Sequence, residues 1–290
     1  MPNFVGVLAP FFWSFLPLFL YYLQALDSLV ILLMSLAVFS VLSLGYLLVS
    51  KSDISSYYKK DKAYYLNGVF GIFGFHFFYF EALKIAPIIP VFLIINLAGI
   101  FIILYSAWLN KTQIKPKHLI ALLFNFSAIM LVAYGKESDV SNHQNSWLGY
   151  LYALMAANCW AFYSAYSRRF KDVSNFSISF LTLVVSICCL VTIALQGNLA
   201  LLSQITLQQF FICLLIGLGP MGFAFIFWNY GMTKGDVNLL CIISYIIPIL
   251  GSIWLVLFGI EEFTTNLAIA CGLIAVGTAV ATFSNKRGLF

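Results

Sequence analysis

The basic residues of this chain fall almost entirely between long apolar stretches, in clusters that alternate in a way only a repeatedly threaded membrane chain requires. They gather at Lys51, Lys59, Lys60 and Lys62, at Lys111, Lys115 and Lys117, at Arg168, Arg169 and Lys171, at Lys234, and at Lys286 and Arg287. Only Lys84 and Lys136 stand apart. If ten spans alternate across a bilayer, the thirteen clustered cations share one side and the other two lie opposite, as the bias of Lys and Arg toward cytoplasmic loops requires. Both termini are then cytoplasmic.

A composition of 62% apolar and 9% charged residues leaves too little polar surface to clothe a soluble globule of this length. The net charge of +5 sits in short loops and forms no continuous basic face, which argues against a nucleic-acid partner. Lipid is the expected surrounding. A hydrocarbon core of about 30 Å takes about 20 helical residues. Runs of that length can be drawn at 4–23, 28–49, 63–83, 86–109, 117–135, 147–167, 174–196, 208–232, 237–258 and 264–284. Within lipid such runs satisfy their backbone groups as helices, so the expected fold class is an all-α integral membrane protein of ten transmembrane helices. The first run has no basic residue before it and no small-residue cleavage site, and reads as a retained span.

Several motifs lose their usual meaning in this setting. Gly217-Leu218-Gly219-Pro220-Met221-Gly222 spells a dinucleotide fingerprint but lies inside a span with no strand before it, so it reads as chance or as a flexible helix segment. Gly68, Gly71 and Gly74 recur every third residue, which favours close helix packing over a moving bend. Cys159, Cys188, Cys189, Cys213, Cys241 and Cys271 all fall within spans and make no C-x-x-C pair; they read as small packing residues. His76, His118 and His143 lie in different segments. No metal site, catalytic constellation or cofactor motif is expected, and no loop is long enough to hold a soluble catalytic domain.

The chain aligns with itself. An offset of 148 superposes Gly74-Phe75-x-Phe77 on Gly222-Phe223-x-Phe225, and an offset of 147 superposes Trp13 on Trp160. Five spans per half is an odd number, so the halves, 4–135 and 147–284, enter the membrane from opposite sides as an inverted-topology repeat. That arrangement suits alternating access around a central site, and a transporter of a small-molecule substrate follows. Nothing in the residues sets an oligomeric state.

Residues costly in lipid mark the expected site, because polar groups at membrane depth turn toward protein or a water-filled cavity. They are Trp13 in the first span, His76 and Tyr79 in the third, Asn96 in the fourth, Asn158, Trp160 and Tyr163 in the sixth, Trp228 and Asn229 in the eighth, and Ser244 and Tyr245 in the ninth. Trp108, Trp147 and Trp254 fit interfacial belts or packing. Glu81 lies near a span end, three residues before Lys84, and reads as half of a snorkelling surface pair.

With these residues in view the chain resembles the drug/metabolite transporter superfamily with two EamA-type repeats, over nearly its whole length. The resemblance rests on Trp228-Asn229-x-Gly231, Gly235-Asp236-Val237 and Ser244-Tyr245-x-x-Pro248, and on Asn158-x-Trp160-Ala161-x-Tyr163 before Arg168-Arg169. These look like the bacterial branch that exports aromatic amino acids and some drugs. The resemblance implies a bacterial inner-membrane carrier whose central cavity is lined mainly by spans one, three, four, six, eight and nine. Two departures stand out: Ala98-Gly99-Ile100 replaces a proline in the fourth span, and Asn110-Lys111 replaces an acidic residue after it. Aromatic rings would stack on an apolar amino acid while neutral amides and hydroxyls hold its charged ends. The alternatives are a carrier of a nucleotide derivative or a drug, or a membrane-embedded scaffold or enzyme. The first wants a cation for phosphate and the second a catalytic cluster, and neither is evident.

Overall fold

The computed structural model describes residues 2–49, 62–110, 116–135, 146–167, 169–170, 177–234, 240, 244 and 246–283. Among them there is no strand. The helices are α1 (Pro2–Ser14), α2 (Leu16–Tyr21), α3 (Ser28–Val49), α4 (Lys62–Gly68), α5 (Gly74–Ile85), α6 (Ile88–Ile95), α7 (Ala98–Asn110), α8 (Pro116–Gly135), α9 (Ser146–Ser167), α10 (Ser177–Leu195), α11 (Leu207–Leu218), α12 (Ala224–Lys234), α13 (Ile246–Leu257) and α14 (Thr265–Phe283). Six stretches of the described chain are long and apolar enough to cross a bilayer: Pro2–Tyr21, Ser28–Val49, Lys62–Ile85, Pro90–Leu109, Ile178–Leu195 and Leu207–Gly231. Large side chains such as Leu66, Trp108, Trp147 and Leu195 are exposed on this bundle, as a lipid-solvated surface demands.

Several spans are broken, each for an identifiable reason. Between α1 and α2 the ladder is interrupted at Phe15; Pro17, just inside α2, has no N–H to return to the carbonyl of Trp13. Between α4 and α5 runs a π-helical turn, Val69–Phe73, and between α11 and α12 a second, Gly219–Phe223. A π turn inserts one extra residue and releases a carbonyl from its usual partner. A carbonyl within each turn accepts from a side chain: Ile72 O from Nδ1 of His76 at 2.8 Å, and Pro220 O from the indole Nε1 of Trp13 at 2.9 Å. The fourth break, Asn96–Leu97, separates α6 from α7; there Asn96 Nδ2 donates to Phe92 O at 2.7 Å. The expected fingerprint at Gly217–Gly222 is thus part of a broken helix, and the proline absent from the fourth span has not left it straight.

Helix pairing is close and specific. The main neighbours are α1 with α12, α5 with α9, α3 with both α10 and α11, α7 with α9, α1 with α13, and α8 with α14. α1 and α12 cross at Gly6 and Gly231, where a Cβ built on Gly231 meets the Gly6 Cα at 2.8 Å; small residues let the backbones touch. Gly71 is packed in the same sense against the Tyr163 side chain, and Gly68 against Leu181, as the three-residue spacing led one to expect. α3 and α10 are joined by Ser40 Oγ and Thr182 Oγ1, 2.9 Å apart. A bond of this kind inside a membrane contributes about 0.6 kcal/mol. Asn67 Nδ2 donates to Tyr163 O at 3.2 Å and to Ser167 Oγ at 3.0 Å, tying α4 to α9. Cys159, Cys188, Cys189, Cys213 and Cys271 are free thiols within helices; Cys241 lies outside the described residues.

Candidate substrate cavity

The breaks converge on one space. Trp13 and Leu16 border it from α1 and α2, Phe75, His76 and Tyr79 from α5, and Trp160 from α9. Phe92, Ile95, Asn96, Ala98, Gly99 and Ile102 come from the broken α6–α7 span, Phe225 and Trp228 from α12, and Ser244 and Ile247 from the start of the α13 region. Its empty space, open mouth included, is about 820 Å³.

Three indoles form its wall. Trp13 meets Trp160 edge-on with ring centroids 5.6 Å apart and Trp228 at 5.2 Å. Phe225 closes the cluster at 6.1 Å from Trp13 and 5.8 Å from Trp160, and Phe75 lies 5.4 Å from Trp160. Such pairs contribute roughly 0.5–1.5 kcal/mol each beyond area burial. The bond from Trp13 to Pro220 fixes one indole further.

The polar groups on this wall are few and neutral. Tyr79 is almost wholly buried, and its hydroxyl has no partner among the described residues. His76 and Asn96 each donate to the carbonyl four residues back, and Ser244 sits opposite on the α13 side. Among the described lining residues there is no Asp, Glu, Lys or Arg. This composition suits a ligand that is largely apolar, with polar ends satisfied by single hydrogen bonds.

Of the residues singled out in the sequence, Trp13, His76, Tyr79, Asn96, Trp160, Trp228 and Ser244 border the cavity. Asn158, Tyr163 and Asn229 are not among its lining residues. Asn158 and Trp160 lie two residues apart on one helix, about 200° around its axis, so both cannot face the same space. Asn158 instead accepts from the Tyr105 hydroxyl at 2.8 Å and donates to Leu154 O at 2.8 Å, meeting the cost of an amide in lipid by pairing with α7. Tyr163 stands behind Trp160, ring centroids 5.4 Å apart, with Gly71 against it. Asn229 follows Trp228 by about 100° and is turned off the wall, half-buried. Tyr245 lies outside the described residues.

Phe75, Phe92 and Phe225 were missed. Two of them belong to the repeated Gly-Phe-x-Phe pattern, which was read as evidence of duplication and not as cavity wall. Trp254 is a packing residue: it stacks on Phe15 at 4.5 Å and donates to Ser14 Oγ at 2.9 Å. Trp108 and Trp147 are mostly exposed, as belt residues are. Glu81 and Lys84 form the expected partly exposed pair at 2.9 Å.

Comparison with known proteins agrees with this architecture. The model of the EamA-like transporter family matches twice, over residues 1–134 and 147–283. The chain is 31% identical over 227 residues to the aromatic amino acid exporter YddG of Ancylobacter novellus, covering 77% of each protein. It is 23% identical over 198 residues to the aromatic amino acid exporter YddG of Salmonella typhimurium, covering 66% of this chain and 64% of that protein. A solved crystal structure superposes on the whole chain and 99% of its own, with a TM-score of 0.80 and 28% identity. The chain is a member of the EamA-like transporter family, a multi-pass membrane protein built to move small molecules.

Proposed function

We propose that this protein exports aromatic amino acids across a bacterial inner membrane by alternating access, with the indole-walled cavity as its binding site. The observation that carries the reading is the wall itself: Trp13, Trp160 and Trp228 around a space whose described lining has only neutral polar groups, in a chain whose curated relatives are named as aromatic amino acid exporters. An aromatic side chain stacks on such rings, and a zwitterion is held by neutral donors and acceptors without a fixed charge. A nucleotide carrier would want a cation in the lining, and the described lining offers none.

Two halves of opposite orientation suit alternating access, here 4–135 and 147–284, together making ten spans with cytoplasmic termini. Support for that division comes from the pairing of elements. The contact of α1 with α12 has its counterpart in α9 with α5, and the π turns at 69–73 and 219–223 fall within two residues of the same register. Ile72 and Pro220, whose carbonyls both accept a side-chain hydrogen bond, are 148 residues apart, the offset at which the halves align. The two matches to the family model, over residues 1–134 and 147–283, support the same division.

Purified protein in vesicles loaded with labelled phenylalanine, tryptophan, a small polar amino acid or a nucleoside monophosphate tests the proposal. Saturable efflux of the two aromatic amino acids well above the other two is expected. Flux confined to the nucleotide or the polar amino acid contradicts it.

A further inference from the structure

The helices that border the cavity fall into two groups that face each other across it. α12 and α13 pack on α1, and Trp254 pins α13 there by stacking on Phe15 and donating to Ser14 Oγ at 2.9 Å. α5, α6 and α7 pack on α9. Trp13 and Trp228 stand on the first group, and Phe75, Tyr79, Asn96 and Trp160 on the second. Toward one end of the cavity the groups close on each other, where the ring of Phe92 on α6 is seated against Gly251 on α13. A Cβ built on Gly251 would run into Cε1 of that ring, would lie 2.6 Å from its Cζ and would stand 3.3 Å from the Ser14 carbonyl oxygen, so glycine is what lets the ring sit. Phe92 and Gly251 are both buried. α2 meets α6 at the same end, with Leu20 and Val91 buried as well, and this end is shut.

We infer that Phe92 seated on Gly251 is the gate at this end of the cavity, and that it opens when α6 swings about the break at Asn96–Leu97. The inference rests on the cavity being the substrate site and on alternating access, in which each end opens in turn. The break supplies the hinge, because the helical ladder stops there and a few residues at an element end absorb the change of direction. Asn96 Nδ2, bonded to Phe92 O at 2.7 Å, holds the last turn of α6 together, so Phe92 moves with its helix. The repeat describes the other position of the gate. Leu240 follows Phe92 by 148 residues, the offset at which the halves align. Its side chain lies against Gly6 and Gly231 and clusters with Ala9, Ala224 and Trp228, all within its own group, whereas Phe92 reaches across to the opposite one. Exchange of conformation between the halves therefore lifts Phe92 off Gly251 and carries Leu240 across to α7, where Ile103 stands 148 residues before Gly251.

Phe92→Cys combined with Gly251→Cys removes the ring and sets two thiols across the contact, to be joined in vesicles by a short bis-methanethiosulfonate. Cross-linking should lower phenylalanine efflux about tenfold or more beyond its effect on the identically treated parent, and a reductant should restore it, because a gate that cannot open stops turnover. Efflux in fully cross-linked protein above about half the reduced rate overturns the gate. Gly251→Ala needs no reagent and decides the matter if the double cysteine variant does not fold or carries no flux. Its methyl group is set against a buried ring, so efflux at matched folded protein should fall about threefold or more. Adding Phe92→Leu withdraws the ring edge and should recover most of that loss. Parental efflux in Gly251→Ala, or no recovery in the folded pair, overturns the inference as well. A parent that neither binds nor exports phenylalanine defeats the reading of the cavity instead.

Discussion

Tryptophan carries two separate jobs in this chain, and neighbours rather than residue type decide which. Trp160 and Trp228 border the cavity, whereas Trp254 stacks on Phe15 and bonds Ser14, joining α13 to α1. Trp254→Ala should therefore lower folding stability in detergent by about 3–5 kcal/mol, the usual cost of truncating a packed aromatic. A loss under 1 kcal/mol in chemical denaturation counts against the packing role. Glu81→Gln breaks a partly exposed pair worth about 0–1 kcal/mol and should leave transport largely intact; abolished proton-dependent flux at unchanged abundance would instead make Glu81 a proton-carrying residue. Seven of the candidate side chains border the cavity, and they stand out in the sequence because lipid makes polar and amphipathic residues conspicuous. Asn158, Tyr163 and Asn229 stand out by the same reasoning without lining it, because lipid demands only a partner, not a cavity, and Asn158 finds one in Tyr105.

At the scale of elements, apolar runs predict where a span lies and are blind to how it is broken. A π turn adds one residue and changes composition not at all, so Val69–Phe73 and Gly219–Phe223 are invisible to hydropathy; only the local richness in Gly and Pro hints at them. A carbonyl in each turn holds a side chain, that of His76 in the first and that of Trp13 in the second. The indole of Trp13 ties α1 to the turn before α12, and Trp13→Phe keeps a ring while removing that bond. Its net cost should be about 1 kcal/mol in stability, with affinity for an aromatic amino acid changed less than threefold. Thermal and chemical unfolding beside ligand titration checks this, and unchanged stability shows that the bond does not hold the turn.

For the whole molecule, the proposed orientation rests on the basic clusters and is accessible to labelling. Ser203 lies in the loop between α10 and α11 and Arg169 in the turn after α9, both exposed. With Ser203→Cys on intact cells, an impermeant thiol reagent should label well above the parent; with Arg169→Cys it should label only after the cells are opened. The reverse pattern inverts the topology. The duplication was readable from the chain because both halves kept their tryptophan and phenylalanine positions, while the packing of α1 on α12 and of α9 on α5, which closes the cavity between halves, is a long-range fact no local pattern carries. The central claim is that this cavity holds an aromatic amino acid, and the most direct measurement is affinity for phenylalanine or tryptophan in vesicles bearing matched amounts of folded protein. Trp160→Ala should weaken it by about threefold to tenfold, corresponding to a lost ring contact of roughly 0.5–1.5 kcal/mol, while Trp108→Ala, on the lipid face, leaves it unchanged. Parental affinity in the Trp160 variant, or equal losses in both, would contradict the account.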